Sequence, residues 1–131
     1  MPDNLITMGQ TERVMMRKPS KTTLKRKLDK AVSEIVRSRG KCEHCERTEN
    51  LQCAHIISRT NLNLRWNLQN LLCLCPNCHI NFAHKNPLMF AEWVKEYLGE
   101  AKYHALKVGS WQIKKWSIDE MSTLLKTLTK D

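Results

Sequence analysis

The chain has 131 residues and a mass of 15.3 kDa, which fits one domain and argues against two independent cores. It is 41% hydrophobic and 27% charged, close to the globular average, and it contains no apolar run of about 18 residues, so no transmembrane span is predicted. Its formal charge of +9 and its pI near 9.5 indicate a polyanionic partner, with nucleic acid the first expectation.

The basic excess belongs to the N-terminal part of the chain. Residues 13–41 hold eleven basic and two acidic residues, and their difference equals the +9 of the whole protein. The first 16 residues lack the apolar segment of a signal peptide, so we expect a reducing, cytoplasmic location. In such a compartment, six cysteines are more typical of metal thiolates than of disulfides.

The first predicted elements are an arm and a basic helix. Residues 1–19 have no apolar periodicity and predict a flexible arm. Residues 20–40 predict an amphipathic helix, because apolar residues recur at three- and four-residue spacing and Gly40 stands where a helix stops. We expect the polar face to contact DNA phosphates, although a solvated surface is the ordinary interpretation of a charge run. The basic side chains of this face are Lys21, Lys25, Arg26, Lys27 and Lys30.

The pattern of apolar residues changes from helical spacing to short continuous segments in the middle of the chain. Two short apolar segments, Leu51–Ile57 and Leu71–Leu74, predict two strands joined by a long polar loop. Helical spacing returns after Cys78 and ends at Gly99, and a further short helix is predicted over Glu100–Val108. The expected fold class is therefore a small, helix-rich α+β domain.

The C-terminal part predicts one more helix. Ser117 and Glu120 have the spacing of a capping box, and the apolar stripe that follows is either core or a dimer interface. In this interpretation residues 41–108 form the main body and residues 109–131 a helical extension of the same domain. The tryptophans are expected to pack in the interior or to dock helices. They are Trp66, Trp93, Trp111 and Trp116.

Two CxxC pairs carry the strongest local signal. The pairs are Cys42 with Cys45 and Cys75 with Cys78, and two such knuckles predict a closed structural zinc site of four thiolates. A redox CxxC needs no second pair, and the expected compartment disfavours disulfides. The ion would tie the loop after the first helix to the start of the later one and thereby support a small core.

Three further residues near these pairs receive other interpretations. Cys53 and Cys73 lie in apolar runs and are expected to be small buried side chains. Cys73 is close enough to Cys75 in sequence to be an alternative zinc ligand. His44 lies inside the first knuckle, where we expect it to be exposed and without a catalytic role.

Three residues follow one another in a recognisable order. His55, Asn70 and His79 occur in that sequence, with His79 directly after the fourth zinc cysteine. This pattern resembles the HNH (His-Me finger) nucleases, and the surrounding residues are more similar still to the phage NinG/Rap recombination nucleases. The resemblance covers residues 41–108. It implies a ββα-metal finger, a phage origin and endonuclease activity on branched DNA intermediates of recombination.

The chemistry of these residues suits phosphodiester hydrolysis. His55 is the expected base, because an imidazole titrates near neutrality and can take a proton from water. A neighbouring backbone carbonyl or an amide oxygen can hold its second nitrogen, and the family pattern assigns this work to Asn70. The same pattern makes His79 a ligand of a catalytic divalent metal, for which Mg²⁺ or Mn²⁺ is expected.

One position departs from the family pattern. Many HNH enzymes have Asp or His directly before the base, whereas this chain has Ala54, which has no ligand atom. His84 is the main candidate for the missing metal ligand, and Asn81 is a weaker one. His84 is five residues after His79, which places the two about 140° apart on an ideal α-helix.

Two arginines and three alternatives complete the prediction. Arg59 and Arg65 are expected to hold phosphates beside the site, unless they are ordinary surface residues. The leading hypothesis is a metal-dependent DNA endonuclease, with a homodimer and no membrane contact expected. A non-catalytic zinc-knuckle DNA-binding module is the alternative from another class. A nickase of homing, restriction or packaging type is the alternative within the nucleases.

Overall fold

The structure, a computed structural model, describes residues 19–130. The predicted arm lies outside the described residues except for its last residue. Within the described range no helix is long and apolar enough to cross a membrane. The elements in chain order are α1 (Lys21–Arg37), β1 (Gln52–His55), a 3₁₀ turn (Leu68–Asn70), β2 (Leu71–Leu74), a π-helix (Cys78–His84), α2 (Pro87–Leu98), α3 (Glu100–Ser110) and α4 (Ile118–Thr129). The small, helix-rich α+β class is thereby confirmed.

Helix α1 forms where the periodicity predicted it. Ser20 is its N-cap, and the Ser20 hydroxyl accepts a hydrogen bond from the backbone N–H of Thr23 at 3.1 Å. The helix ends at Arg37, shortly before Gly40, whose φ of 88° lies in the left-handed region that favours glycine. The apolar face is buried and the basic face is turned outward. The buried residues are Leu24, Leu28, Ala31, Val32 and Val36.

The two strands form an antiparallel pair with helices on both faces. Cys53 lies opposite Cys73, and His55 lies opposite Leu71. These side chains share the face that packs against α1, because alternate residues of a strand point to the same side. The other face, which includes Ala54, packs against the π-helix and α2. The sheet is thus the layer that separates two apolar clusters.

Helix α4 closes the cluster on the α1 side. The predicted capping box is present, since Ser117 Oγ accepts from Glu120 N at 3.0 Å and Glu120 Oε1 accepts from Ser117 N at 3.0 Å. Met121 is fully buried, and the rest of the stripe packs beside it. The sequence left two alternatives for this apolar stripe, core or dimer interface. In this structure the stripe packs in the core.

The tryptophans divide into packed and exposed residues. Trp66 is buried and meets Trp116 edge-to-face with ring centroids 5.4 Å apart, and Trp93 packs against the cluster on the α2 side. The prediction was wrong for Trp111, which is 86% exposed. This residue follows the last turn of α3, in the connection to α4, where no helix covers the indole.

The helical region after Cys78 is two elements rather than one. The π-helix closes with an i→i+5 hydrogen bond from Lys85 N to Ile80 O at 3.1 Å. Helix α2 then starts at Pro87, which is suited to the first position of a helix because proline has no N–H to donate there. The predicted end at Gly99 is confirmed.

Candidate functional site

Four cysteine sulfurs form the first donor cluster. The Sγ atoms of Cys42, Cys45, Cys75 and Cys78 all lie within 4.8 Å of one another, and those of Cys45 and Cys75 are 3.6 Å apart. A tetrahedral zinc with bonds near 2.3 Å requires sulfurs about 3.8 Å apart. The predicted cluster is confirmed, and its donors fit a structural metal ion such as zinc.

Local turns bring the cysteines together. Cys42 N donates to Arg47 O at 2.7 Å, and Glu46 N donates to Cys42 O at 2.9 Å, which folds the first knuckle into a tight turn. Burial alone would raise the pKa of the Cys42 thiol, but hydrogen bonds from nearby backbone N–H groups outweigh burial and lower it to about 7. A thiolate is the form that binds metal; the backbone N–H groups favour it at Cys42, whereas burial and the neighbouring sulfurs raise the pKa of Cys78.

An imidazole and an aromatic ring cover the cluster on one side. His44 Nδ1 lies 3.2 Å from Cys78 Sγ, and the ring of His44 stacks on Phe82 with centroids 4.2 Å apart. His44 is exposed, as predicted. Its contact with a sulfur of the cluster was not predicted. Neither Cys53 nor Cys73 belongs to the cluster. Cys73 is fully buried on the α1 side, and Cys53 opposite it is partly buried.

A second group of donors faces a cavity of about 740 Å³. The cavity lies between α1, the end of β1, the π-helix and the two helices that follow it. Its lining includes three histidines, namely His55, His79 and His84. The structure thus brings His55 and His79, the expected base and metal ligand, to one cavity, together with His84, the candidate second ligand.

The ring of His55 is held in one tautomer. Its Nε2 lies 3.1 Å from the main-chain carbonyl oxygen of Arg65, and because a carbonyl only accepts, Nε2 must carry the proton. Nδ1 is then the basic nitrogen, and it has no hydrogen-bond partner among residues 19–130. Burial lowers the pKa of His55, the Arg65 carbonyl opposes this shift, and the cationic side chain of Arg59 adds to it. The imidazole is consequently neutral at physiological pH.

Asn70 has a different task from the one that the family pattern assigns. It is fully buried, and it holds the loop beyond β1 rather than the imidazole. Its Oδ1 accepts from Ile57 N at 2.8 Å, and its Nδ2 donates to Ile57 O at 3.0 Å and to Leu64 O at 3.2 Å. Asn70 thus fixes both ends of the segment Ile57–Leu64, which directly precedes the residue whose carbonyl holds His55.

His79 and His84 come together because their helix is a π-helix. Residues five apart lie nearly above one another when hydrogen bonds close i→i+5, and the two rings meet edge-to-face with centroids 4.7 Å apart. The separation of about 140° expected on an ideal α-helix therefore does not occur in this helix. His79 Nδ1 lies 2.8 Å from Gln52 Oε1. Because the amide oxygen accepts, Nδ1 carries the proton, and Nε2 has a lone pair that can bind a metal. Burial, and then the charges of His84 and His55, lower the pKa of His79.

The two loop arginines bind a carboxylate of α1. Arg65 pairs with Asp29 through two bonds, Nε to Oδ1 at 3.0 Å and Nη2 to Oδ2 at 2.7 Å, and Arg59 Nη2 reaches Oδ2 at 2.9 Å. The Arg65 side chain is 15% exposed and that of Arg59 is 59% exposed. Arg65 is therefore a structural partner of α1 in this structure, whereas Arg59 keeps donors open to the cavity that it lines.

The basic face of α1 is accessible. Of the five predicted residues, Lys25 is half-buried and the other four are exposed, namely Lys21, Arg26, Lys27 and Lys30. Residues 51–99, which include the cavity histidines, contribute only four basic and two acidic residues. The excess positive charge is thus separated from the histidines along the chain.

Sequence reasoning missed Gln52, Asp29 and the carbonyl of Arg65 as members of the site. Each acts across at least ten residues of chain, so no local spacing signals it. A comparison of the chain with protein-family models, curated proteins and solved structures found no significant match.

Proposed function

We propose that this protein is a metal-dependent DNA endonuclease of the HNH type, built on a ββα-metal finger. The observation that carries the proposal is the arrangement of two histidines around one cavity. His55 stands at the end of β1 with a free Nδ1, and His79 stands on the helix after β2 with a free Nε2. A base and a metal ligand that share an open cavity are what hydrolysis of a phosphodiester needs.

His55 would remove a proton from water. Its Nε2 proton is committed to the Arg65 carbonyl, which directs the basic Nδ1 away from that carbonyl. The lowered pKa of His55 keeps the base unprotonated at neutral pH, and the partial burial of the ring limits competition from bulk water. The protonated ring that forms after transfer would retain its bond to the carbonyl.

His79 and His84 are the residues that would hold the divalent cation. Gln52 orients His79 by accepting the proton on Nδ1, as outer partners of metal-binding histidines commonly do. When bound, a cation such as Mg²⁺ or Mn²⁺ supplies polarisation of the phosphate and stabilisation of the leaving oxygen. Two imidazoles without a carboxylate also suit transition metals.

The four-cysteine cluster would bind structural zinc and hold this helix in place. Cys78 and His79 are consecutive residues of the π-helix, so an ion on the sulfurs would fix the starting point of the helix that carries His79 and His84. A site with four protein ligands has no open position for substrate. Zinc would therefore stabilise the fold while the chemistry takes place at the histidines.

DNA would be held mainly through its phosphates. The exposed basic residues of α1 are suited to sequence-independent contacts whose strength falls with salt, and Arg59 on the cavity wall is suited to a phosphate near the cut. Selection would then depend on the shape of the DNA rather than on its base sequence. Branched recombination or replication intermediates are the substrates that we propose on the basis of the family resemblance.

A second candidate function is a DNA-binding module without catalysis. The observation in its favour is Ala54, which precedes the base and is buried with no donor atom. It lies on the same face of β1 as Gln52, so this strand contributes only an amide next to His79. The module would use the zinc knuckles and the basic helix but would not cut DNA.

The test is a cleavage assay with purified full-length protein. A four-way junction, a flap and a linear duplex are incubated with protein and Mg²⁺ or Mn²⁺, beside a His55→Ala variant and a His104→Ala control on the exposed side of α3. We expect metal-dependent cleavage that falls by about 10²–10⁴-fold in His55→Ala and is unchanged in His104→Ala. Tight binding of all three DNAs without cleavage would establish the binding module instead.

A further inference from the structure

The carboxylate of Asp29 gathers three side chains of one loop. It accepts from Arg59, twice from Arg65, and from Trp66 Nε1 at 2.8 Å. Asp29 belongs to α1, about 30 residues before the loop in sequence. Its hydrogen bonds to Arg65 and Trp66 keep the pKa of Asp29 below the ordinary value in spite of its partial burial, so the group is a carboxylate under physiological conditions.

Arg65 makes two connections at once. Its guanidinium forms a bidentate pair with Asp29, and its main-chain carbonyl accepts the Nε2 proton of His55. Bidentate pairs fix orientation as well as distance. Trp66, the next residue, is buried and also bound to Asp29. The peptide group that holds the imidazole is therefore bordered by two side chains anchored on the same carboxylate.

The other anchors of the loop act on its remaining parts. Asn70 holds Ile57 and the carbonyl of Leu64, and Asn61 and Asn63 bind the end of α3. Within the described residues, these asparagines make no hydrogen bond to the Arg65 carbonyl itself. The orientation of that carbonyl thus depends on how Arg65 and Trp66 are held.

We propose that Asp29 is a positioning residue for the base: by anchoring Arg65 and Trp66 it aims the carbonyl that keeps His55 in the tautomer with a free Nδ1. The inference rests on the proposed function in so far as His55 is the base, but the tautomer itself can be observed without any reaction. A misplacement of about 1 Å in such a group costs on the order of 10²-fold in rate. The helix that carries the basic face would therefore also set the geometry of the chemistry.

The experiment compares Asp29→Asn with Glu34→Gln in the full-length, zinc-loaded protein. Both changes remove one negative charge from α1, and Glu34 is exposed with no side-chain bond to the loop in the described structure. The first measurement is the ring-nitrogen NMR spectrum of His55, assigned with His55→Ala. The second is the kcat and KM of cleavage. Arg65→Lys, which retains the charge and loses the fork, serves as the second variant if Asp29→Asn fails to fold.

We expect the wild type and Glu34→Gln to show a single tautomer protonated at Nε2. Asp29→Asn should show a mixture of tautomers and a kcat lower by about tenfold or more, with KM nearly unchanged. A single unchanged tautomer and an unchanged kcat in Asp29→Asn, with only a lower Tm, would overturn the proposal and leave Asp29 a structural residue. A mixture of tautomers in Asp29→Asn, together with a wild-type protein that cleaves none of the DNAs, would sustain the positioning role and reject the nuclease.

Discussion

The two donor clusters of this protein include neighbouring residues of one helix, but one cluster is compact and the other faces a cavity. Cys78 belongs to a cluster of four sulfurs within 4.8 Å of one another, whereas His79 faces a cavity of about 740 Å³. Four sulfurs can complete the coordination shell of a structural zinc, whereas in the proposed function the imidazoles would leave positions open on a catalytic cation. In the proposed function, the closed site would hold in place the helix on which the open site depends, because Cys78 and His79 lie on one helix.

The helix that they share is itself unusual. In a regular α-helix His84 would point away from His79, but the π-helix places their rings 4.7 Å apart. Single π-turns inside helices are frequent at functional sites. The wider turn therefore brings both imidazoles of this helix to the side that faces the cavity.

The largest expected effect comes from removing a sulfur of the closed cluster. Cys42→Ser should lose the metal and the cooperative unfolding transition, because structural zinc of this kind contributes on the order of 10 kcal/mol to the folded state. Elemental analysis should give one zinc per wild-type chain, and thermal melts followed by circular dichroism report the fold. Cys53→Ser, outside the cluster, is the control that should keep its zinc. Equal zinc in both variants would contradict the assignment.

The support of the open site can be broken at Asn70. Asn70→Ala leaves the Ile57 N–H and the Ile57 carbonyl oxygen without this partner and leaves Leu64 O with its bond from Asn67 N. We expect a loss of roughly 2–4 kcal/mol of unfolding free energy. Urea denaturation measures the loss. Gln69→Ala, an exposed neighbour, should change stability by less than about 0.5 kcal/mol. A variant as stable as wild type would show that the loop beyond β1 does not need this amide.

DNA affinity should respond to a region outside both clusters. The double change Lys27→Gln and Lys30→Gln removes two exposed cations of α1, so the slope of log affinity against log salt should decrease by about 2. Fluorescence anisotropy with a labelled duplex at several salt concentrations measures the slope. The matched control, Lys95→Gln with Lys130→Gln, lies elsewhere on the surface. The same decrease in both pairs would mean that α1 has no special part in binding.

The smallest effect concerns the pH dependence of cleavage. The pKa of His55 lies below its ordinary value of 6.5, first because of burial and in part because of the cationic Arg59. Activity should therefore persist as the pH falls below 6.5 and disappear when it passes the lowered pKa. Arg59→Gln removes a positive charge, which makes protonation of His55 easier and should move the acid limb of the kcat profile to higher pH. Lys85→Gln should leave it in place, and a limb moving to lower pH would contradict the electrostatics.

Local patterns predicted the parts of this fold that local physics determines. Helix α1, the two strands and the capping box of Ser117 follow from periodicity and from side chains that bond within three residues. The CxxC pairs also predicted their cluster, because two short knuckles have few other ways to satisfy four sulfurs.

The remaining features depend on contacts that no short pattern encodes. Asp29 meets its loop partners across 30 residues or more, and Gln52 meets His79 across 27. The apolar pattern after Cys78 has the ordinary helical spacing of 3.6 residues, which gave no sign of the π-helix. Trp111 was expected to pack in the interior or to dock a helix, because tryptophan side chains are on average largely buried. The connection after α3 instead leaves it exposed to solvent.

In the proposed function, the sulfur cluster is closed and structural, whereas the histidine cluster is open and binds the catalytic cation. Crystals of the zinc-loaded protein soaked in Mn²⁺ test it most directly, with anomalous diffraction recorded at the absorption edges of both metals. We expect zinc among the four sulfurs and manganese in the cavity at His79, on the side that faces His55. Manganese among the sulfurs, or no manganese at His79 in a protein that cuts DNA with Mn²⁺, would contradict it.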